Sequence, residues 1–534
     1  MNAAHRAKLF GWLAYAFASE VFVIVSLTLF LPICLEQFAR DNGFVAPKRT
    51  EPCSTLEVTS DEGSARCQVK IGWIWVDSAS FSLYTYSASV ALQALTVISM
   101  GNVADHPSRR KPLLLTFAFL GSLAATLFLL LPSTSALWIL AAPLAMLANV
   151  GFGASIVAMN AYLPELARED PQMVKLRQEL RTTGENEGDQ DTAPLLDPAA
   201  DHDDEEGAHQ GVRTPDSKAY DAALSSTTSR ISSLGIALGY LAGIIMLILS
   251  IIPVRQLGGS TFSLRLAIGL SGIWWAVFSV LAGFLLPSHT TSAQDVAVPD
   301  KLSIWKECKL SWLRLGRTLH YTEIMKLRNT FKYLAAWFLL SDGFTSISST
   351  ATLFAKTTLH LPSSQLIIIG ILAPSGGIIG SLLWPRIQKR IRASNQVVLI
   401  ILVGLTSMVP LYGCVGIWTK SGFGALRTKE EMFVLSGYFG IMYGAFQGYA
   451  RASYAELIPP GEEARWYALF SITDKSSSFL GPLIVGLIAD TTGNIRYAFF
   501  FLVGMIWAAV PVLAWVNMDR GRKDARGYAS RGRR

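Results

Sequence analysis

Phe17-Ala18-Ser19-Glu20-Val21-Phe22 stands in the first apolar run of the chain, and Leu339-Leu340-Ser341-Asp342-Gly343-Phe344 stands at the matching point of the seventh. In both, a carboxylate follows a serine inside an otherwise hydrophobic stretch. Two further pairs recur in the same order. Asn160-Ala161-Tyr162-Leu163-Pro164-Glu165 closes the fourth run and Arg451-Ala452-Ser453-Tyr454-Ala455-Glu456 the tenth, with equal spacing to the acid. Ser232-Ser233-Leu234-Gly235 opens the fifth run and Ser477-Ser478-Phe479-Leu480-Gly481 lies in the eleventh, offset by one residue. A single match would follow from composition, because apolar helices resemble one another. Three in order indicate two six-helix halves arranged as a parallel repeat.

Crossing a hydrocarbon core takes roughly 20 apolar residues. Twelve runs meet that length, at about 9–33, 79–100, 112–131, 137–160, 231–252, 266–286, 333–355, 365–384, 396–418, 432–455, 468–489 and 497–517. They are numbered helices 1 to 12 below. Composition agrees: apolar residues make up 51% of the 534, charged residues only 16%, and mean hydropathy is +0.37. Soluble proteins carry about 25% charged residues. The expected fold class is therefore all-α integral membrane, with twelve transmembrane helices in two six-helix repeats. Residues 1–164 would hold helices 1–4, 165–230 a disordered acidic cytoplasmic loop, and 231–286 helices 5–6. A central cytoplasmic linker (287–330), a six-helix C-terminal half (331–517) and a basic cytoplasmic tail (518–534) follow.

The net charge of +7 raises nucleic acid as a partner, but the placement of the bases fits a membrane instead. With both termini cytoplasmic, the cytoplasmic segments hold 32 of the 46 Lys and Arg and the opposite side 12, with Arg451 and Lys475 inside runs. That excess follows the positive-inside rule.

Residues 182–212 contain ten acids and no Lys or Arg, too little apolar surface to offset ordering entropy. Within them, Asp191, Leu195 and Leu196 match the acidic dileucine pattern read by vacuolar and lysosomal sorting adaptors, a short pattern that chance also produces. In 299–330, Trp305, Leu310, Trp312 and Leu315 alternate with Lys and Arg, which fits either an interfacial amphipathic helix or a solvated linker. Cys53 and Cys67 share the long loop after helix 1, where a bridge is permitted by compartment.

No P-loop, H-E-x-x-H or paired C-x-x-C occurs, and none of the seven histidines falls in a span. Neither enzymatic catalysis nor a cofactor or metal is expected. What remains are polar residues inside helices, where lipid makes them expensive. Glu20 and Asp342 lead: each is either a proton carrier or substrate-amine ligand, or an acid that pins helices together. Ser78, Ser82, Thr85, Ser89 and Thr96 lie on one face of helix 2, and Asp342, Ser346, Ser349 and Lys356 on one face of helix 7. Such stripes line a cavity or make helix–helix hydrogen bonds. A guanidinium at the depth of Arg451 needs an acid or a substrate carboxylate as partner. Gln447, one turn earlier, Asn160 and Ser346 complete the candidate coupling set. Glycines at 235, 239 and 243, at 376 and 380, and at 440, 444 and 448 provide smooth faces for sliding or for close packing.

Between helices 2 and 3, Gly101-Asn102-Val103-Ala104-Asp105-His106-Pro107-Ser108-Arg109-Arg110-Lys111 resembles the G-x-x-x-D-R-x-G-R-R-K loop of the major facilitator superfamily. His106 replaces an Arg and Ser108 a Gly. A worn second copy keeps Gly380, Lys389 and Arg390, with Trp384 in place of the acid. The resemblance implies that Gly101, Asp105, Arg109, Arg110 and Lys111 gate the halves and do not bind substrate. A closer resemblance covers almost the whole chain. Phe17-Ala18-Ser19-Glu20, Pro52-Cys53…Cys67, Gly272-Ile273-Trp274-Trp275, Ser341-Asp342-Gly343, Ala455 through Ala464, and Ser471-Ile472-Thr473-Asp474-Lys475 to Gly481-Pro482 look like the fungal autophagy-related vacuolar effluxers.

This resemblance implies a multi-pass permease of the vacuole membrane exporting amino acids, such as leucine, released by autophagic degradation. A zwitterionic substrate would need an acid for its ammonium, Glu20 or Asp342, and a base for its carboxylate, Arg451. Protons leaving the acidic lumen would drive export, although a uniporter fits the same residues. A same-fold carrier for another small solute, or a non-transporting receptor or scaffold acting through the acidic loop, are the competing readings.

Overall fold

The computed structural model describes residues 3–46, 49–53, 67–105, 107–133, 135–188, 215–287, 304–417, 424, 426–459 and 463–531. Nine helical stretches among them are long and apolar enough to cross a membrane, at predicted positions 1–6, 8, 9 and 12. The chain is also helical at the other three. Helix 7 is Arg328–Thr357, helix 10 is Lys429–Ala455, and helix 11 runs Glu463–Ser477 then Leu480–Thr492. Helix 11 is interrupted at Ser478–Phe479, and helices 7 and 10 turn polar residues toward other helices. Length and composition alone therefore do not mark these three as spans.

Helix 1 runs from Ala3 to Asp41 with a π-helical stretch, Phe22–Phe30, in its middle. Such widened turns recur at functional positions, and this one begins two residues after Glu20. Beyond helix 1 lies the only sheet among the described residues: β1 (Phe44–Val45), β2 (Cys67–Ile71) and β3 (Ile74–Asp77), antiparallel throughout. Cys53 and Cys67 are disulfide-bonded, with Cα atoms 6.0 Å apart, and tie the loop to this sheet.

Helices occupy parts of the segments read as loop, linker and tail, and only the loop reading needs correction. The region 165–230 is not loop throughout: helices cover Leu163–Arg168 and Pro171–Gly188, and helix 5 begins at Pro215 and runs to Gln256. Leu166, Ala167 and Met173 bury there, and Asp170 pairs with Arg230 of helix 5 at 2.9 Å. The acids that discourage folding begin only at Glu185, beyond these anchors. Asp191, Leu195 and Leu196 lie outside the described residues. The linker forms helices Ile304–Thr318 and Tyr321–Lys326, and the tail forms Met518–Arg531. That tail helix is held to helix 10 by Arg522, 2.5 Å from Glu456. The contact raises the Arg522 guanidinium above its ordinary value through the hydrogen bonds it donates to Glu456.

The glycine faces are close-packing surfaces. Side chains at Gly376, Gly380, Gly440 or Gly444 would run into the facing backbone of helices 8 and 10, so these two helices touch main chain to main chain. Gly235, Gly239 and Gly243 of helix 5 receive Trp12, Glu20 and Ile24 of helix 1.

The two halves meet at the end of the bundle remote from the termini. Helix 2 meets helix 11 there, where Ser80 Oγ donates to Gly486 O at 3.0 Å and Ser87 Oγ to Phe479 O at 2.7 Å. Asp77 N donates to Asp490 Oδ1 at 3.1 Å. Helix 5 meets helix 8 through Leu247 on Gly370. At the opposite end Asn160 and Arg451 are exposed, and nothing lies within 4 Å of a side chain built on Gly448. The structure is closed at the remote end, and at the termini end Arg451 of helix 10 meets Ser232 of helix 5 across the halves at 3.2 Å.

Candidate functional site

The two acids of the repeat are each seated on a glycine-bearing helix of their own half. Glu20 lies on Gly239 of helix 5, and Asp342 on Gly481 of helix 11; a side chain at either glycine would collide with the acid. Their polar surroundings differ. Asp342 is 2% exposed and accepts hydrogen bonds from Gly481 N at 2.9 Å and Ser346 Oγ at 3.5 Å. Gly481 N is one of the first N–H groups of the second segment of helix 11, which has no partner within its own helix. Asp342 thus caps the broken helix from across the interface. Glu20 is partly exposed and makes no hydrogen bond among the described residues, but it feels the positive charges of Arg451 and Lys475 in the other half.

Arg451 is not at the buried depth its position suggested. It is exposed, toward the termini end of helix 10, and donates across the halves to Ser232 Oγ of helix 5 at 3.2 Å. Glu456 is engaged elsewhere, with Arg522 and with Asn395 Nδ2 at 2.7 Å. Gln447 Nε2 donates to Tyr443 OH at 2.7 Å, and Asn160 stands exposed at the end of helix 4. Ser346 is fully buried against Asp342.

Five side chains join this group that sequence reasoning did not assign to it. Lys475 pairs with Asp474 at 3.2 Å, and Ser341 Oγ donates to Asp474 Oδ1. Tyr86, Tyr240 and Tyr443 are partly exposed, and their hydroxyls interact electrostatically with Glu20, Arg451, Asp474 or one another. The adjacent Asp474-Lys475 charges in an apolar run are a signal that sequence alone offers. The tyrosines carry none, since an aromatic ring suits a packed helix face equally well. Together the group presents two acids and two bases, with three phenol rings around them. Such a set complements a small solute carrying both charges and an apolar body.

The stripe on helix 2 makes hydrogen bonds within the bundle, while Ser82, Thr85 and Ser89 also line a small cavity beside Tyr86. Ser78 donates to Glu36 at 3.4 Å, Ser82 to Pro32 O at 2.9 Å, and Ser89 accepts from Asn149 Nδ2 at 2.8 Å. The loop bases after helix 2 are also engaged. Arg109 pairs with Glu307 of the linker helix, Arg110 with Glu165 at 3.4 Å, and Lys111 donates to Leu286 O at 2.8 Å. These contacts tie the loop to its own half and to the linker. The side chain of Asp105 lies outside the described ones.

A two-half helical bundle with charges facing one another between the halves defines a solute carrier of the major facilitator type. The structure is similar to the inward-open xylose transporter XylE from E. coli, with TM-score 0.55, 11% identity, and coverage of 95% of this chain and 96% of that one. It is also similar to the POT family transporter PepTSo, with TM-score 0.56 and 10% identity over 96% of this chain and 98% of that one. At these identities the likeness is one of fold. The sequence reaches further: residues 4–526 match the family described as "Vacuole effluxer Atg22 like". The chain is 40% identical to Autophagy-related protein 22 of Cryptococcus neoformans var. neoformans serotype D, over 98% of this chain and 97% of that protein. It is 37% identical to Autophagy-related protein 22-1 of Penicillium rubens, over 97% and 91%. The chain belongs to the Atg22-like vacuole effluxer family, a family of transporters and not of enzymes.

Proposed function

We propose that this protein exports neutral amino acids, leucine among them, from the vacuole lumen to the cytosol by alternating access. The observation that carries the reading is the meeting of both halves on helix 5, where Glu20 lies on Gly239 and Arg451 of the other half reaches Ser232 two turns away. A substrate ammonium at Glu20 and a carboxylate at Arg451 would bridge the halves, so that binding favours their closure. The partly exposed rings of Tyr86, Tyr240 and Tyr443 supply apolar contact for an aliphatic side chain. The termini are cytosolic in this reading, supported by the 32 to 12 division of bases. The closed end then faces the lumen.

Glu20 is also the proposed proton site: with a proton bound, its carboxyl still accepts a hydrogen bond from the substrate ammonium through its carbonyl oxygen, so proton and solute leave the acidic lumen together as a symport. Efflux of labelled leucine from loaded proteoliposomes, with and without an inside-acid gradient, tests the proposal. Efflux quickened by acid is the expected result. Equal efflux under both conditions would indicate uniport. Efflux no greater than from empty vesicles, with folded protein verified, would overturn the amino-acid assignment and point to another solute or to a receptor role.

A further inference from the structure

The linker helix Ile304–Thr318 is turned the opposite way from an ordinary surface helix. Its buried positions are polar: Glu307 at 1% exposure, Ser311 and Thr318. At about 100° per residue, Trp305, Trp312 and Leu319, spaced by seven, form an exposed apolar stripe. Lys306, Lys309 and Arg317 are exposed between about 40° and 120° round the helix from Trp305, with Leu310 and Leu313 exposed beside them.

The apolar stripe has a defined neighbour. Trp312 Nε1 donates to Ser99 Oγ of helix 2 at 3.1 Å, and Ser311 Oγ to Ser99 O at 3.3 Å. Ser99 lies on the same helical face as Leu92 and Leu95, which are 44% and 50% exposed. Bulky aliphatic side chains bare on a spanning helix face lipid, so the linker helix is docked where that lipid-facing stripe ends. This is the depth of the headgroups. Tryptophan favours that depth, and exposed bases there meet phosphate. At the C-terminal end of the helix, Arg317 and His320 line a cleft of about 610 Å³. Its one acid, Glu323, is already engaged by Lys326 and Tyr528, each at 2.7 Å.

We propose that this helix is a binding surface for anionic phospholipid in the leaflet at the termini end of the bundle, with Lys306, Lys309 and Arg317 holding the headgroup and Trp305 and Trp312 entering the acyl border. The docked face carries a consequence for the carrier. Glu307 pairs with Arg109 of the loop between helices 2 and 3, so lipid held on the outer face steadies the segment that anchors that loop.

The test needs no transport assay. The photo-crosslinking residue benzoylphenylalanine is placed at Trp305 in the full chain, which is reconstituted in phosphatidylcholine vesicles containing a minority of phosphatidylserine. After irradiation, the lipid adducts are identified by mass spectrometry. The expected result is phosphatidylserine enriched by about threefold or more over its bulk share. Lys306→Gln/Lys309→Gln/Arg317→Gln should return the ratio to bulk, and Lys306→Arg/Lys309→Arg should keep the enrichment. Adducts at the bulk ratio in the parent protein would overturn the selectivity. Absence of lipid adducts, or crosslinks to a second copy instead, would overturn the lipid surface altogether.

Discussion

The carboxylate of Asp342 accepts a hydrogen bond from the main-chain N–H of Gly481 at 2.9 Å, joining helix 7 to the second segment of helix 11. An N–H at a helix start, buried and unpartnered, costs about 1–3 kcal/mol. Asp342 removes that cost for a helix broken in the middle of the bundle. Glu20, its counterpart in the repeat, makes no such bond and looks across the space between halves. One acid of the pair is therefore engaged in architecture, and the other is the proposed site for a solute or a proton.

Asp342→Asn retains an oxygen for the Gly481 N–H, whereas Asp342→Ala does not. The Asn variant should melt close to the parent in detergent, and the Ala variant should lose about 1–3 kcal/mol. Indistinguishable melting of the two variants would return Asp342 to the list of transport residues.

Glu20→Gln preserves shape and removes the charge facing Arg451 and Lys475. Its melting should be unchanged, while efflux in an inside-acid gradient drops to the rate seen without one. Acid-stimulated efflux at the parent rate would rule Glu20 out as the proton site.

Arg451→Ala should weaken a substrate carboxylate's hold. Hydrogen bonds to charged groups contribute about 1.5–3 kcal/mol, so KM for leucine should rise about 10- to 100-fold, with a smaller change in kcat. Leucine methyl ester, which lacks the carboxylate, should not distinguish the variant from the parent. A lowered kcat at constant KM would assign Arg451 to the conformational step.

Ser87 and Phe479 touch across the closed seam. The double variant Ser87→Cys/Phe479→Cys, oxidised, should hold the remote end shut and stop net efflux, with reductant restoring it. Undiminished efflux in the crosslinked protein would mean that the seam does not open during transport.

Glu431 lies at the remote end, at the start of helix 10. Burial works to raise its carboxyl, but the main-chain N–H groups of Gly424, Arg427 and Leu426 and the Thr428 hydroxyl hold it below its ordinary value. A lowered folded value makes the stabilisation complete above the unfolded one, about 4.3, and removes it as pH falls through the folded one. Glu431→Gln should therefore melt earlier than the parent at neutral pH. The difference should narrow below about pH 4, as scanning melts across that range would show. A constant difference at all pH values would mean that charge is not what Glu431 contributes.

Much of this molecule is legible in its linear order. The apolar runs mark the spans because length and mean hydropathy are local properties. Helices 7, 10 and 11 blur that signal, since they turn polar residues to one another and to the other half. The segment 165–230 misled for a related reason: its acids dominate the composition, while Leu166, Ala167 and Met173 anchor its first part on the bundle. The linker's hydrophobic alternation announced a helix but not its inverted face, because Ser99 and Arg109, which receive Glu307, Ser311 and Trp312, lie some 200 positions away.

The repeat is a property of the sequence itself. Glu20 and Asp342 could be paired by inspection, because each follows a serine at the matching point of its half. Their division of labour could not be. It depends on partners from other helices: Gly481, 139 residues from Asp342, and Arg451 and Lys475 opposite Glu20. A carboxylate's role is set by the donors and charges packed around it, and only the tertiary fold brings those within reach.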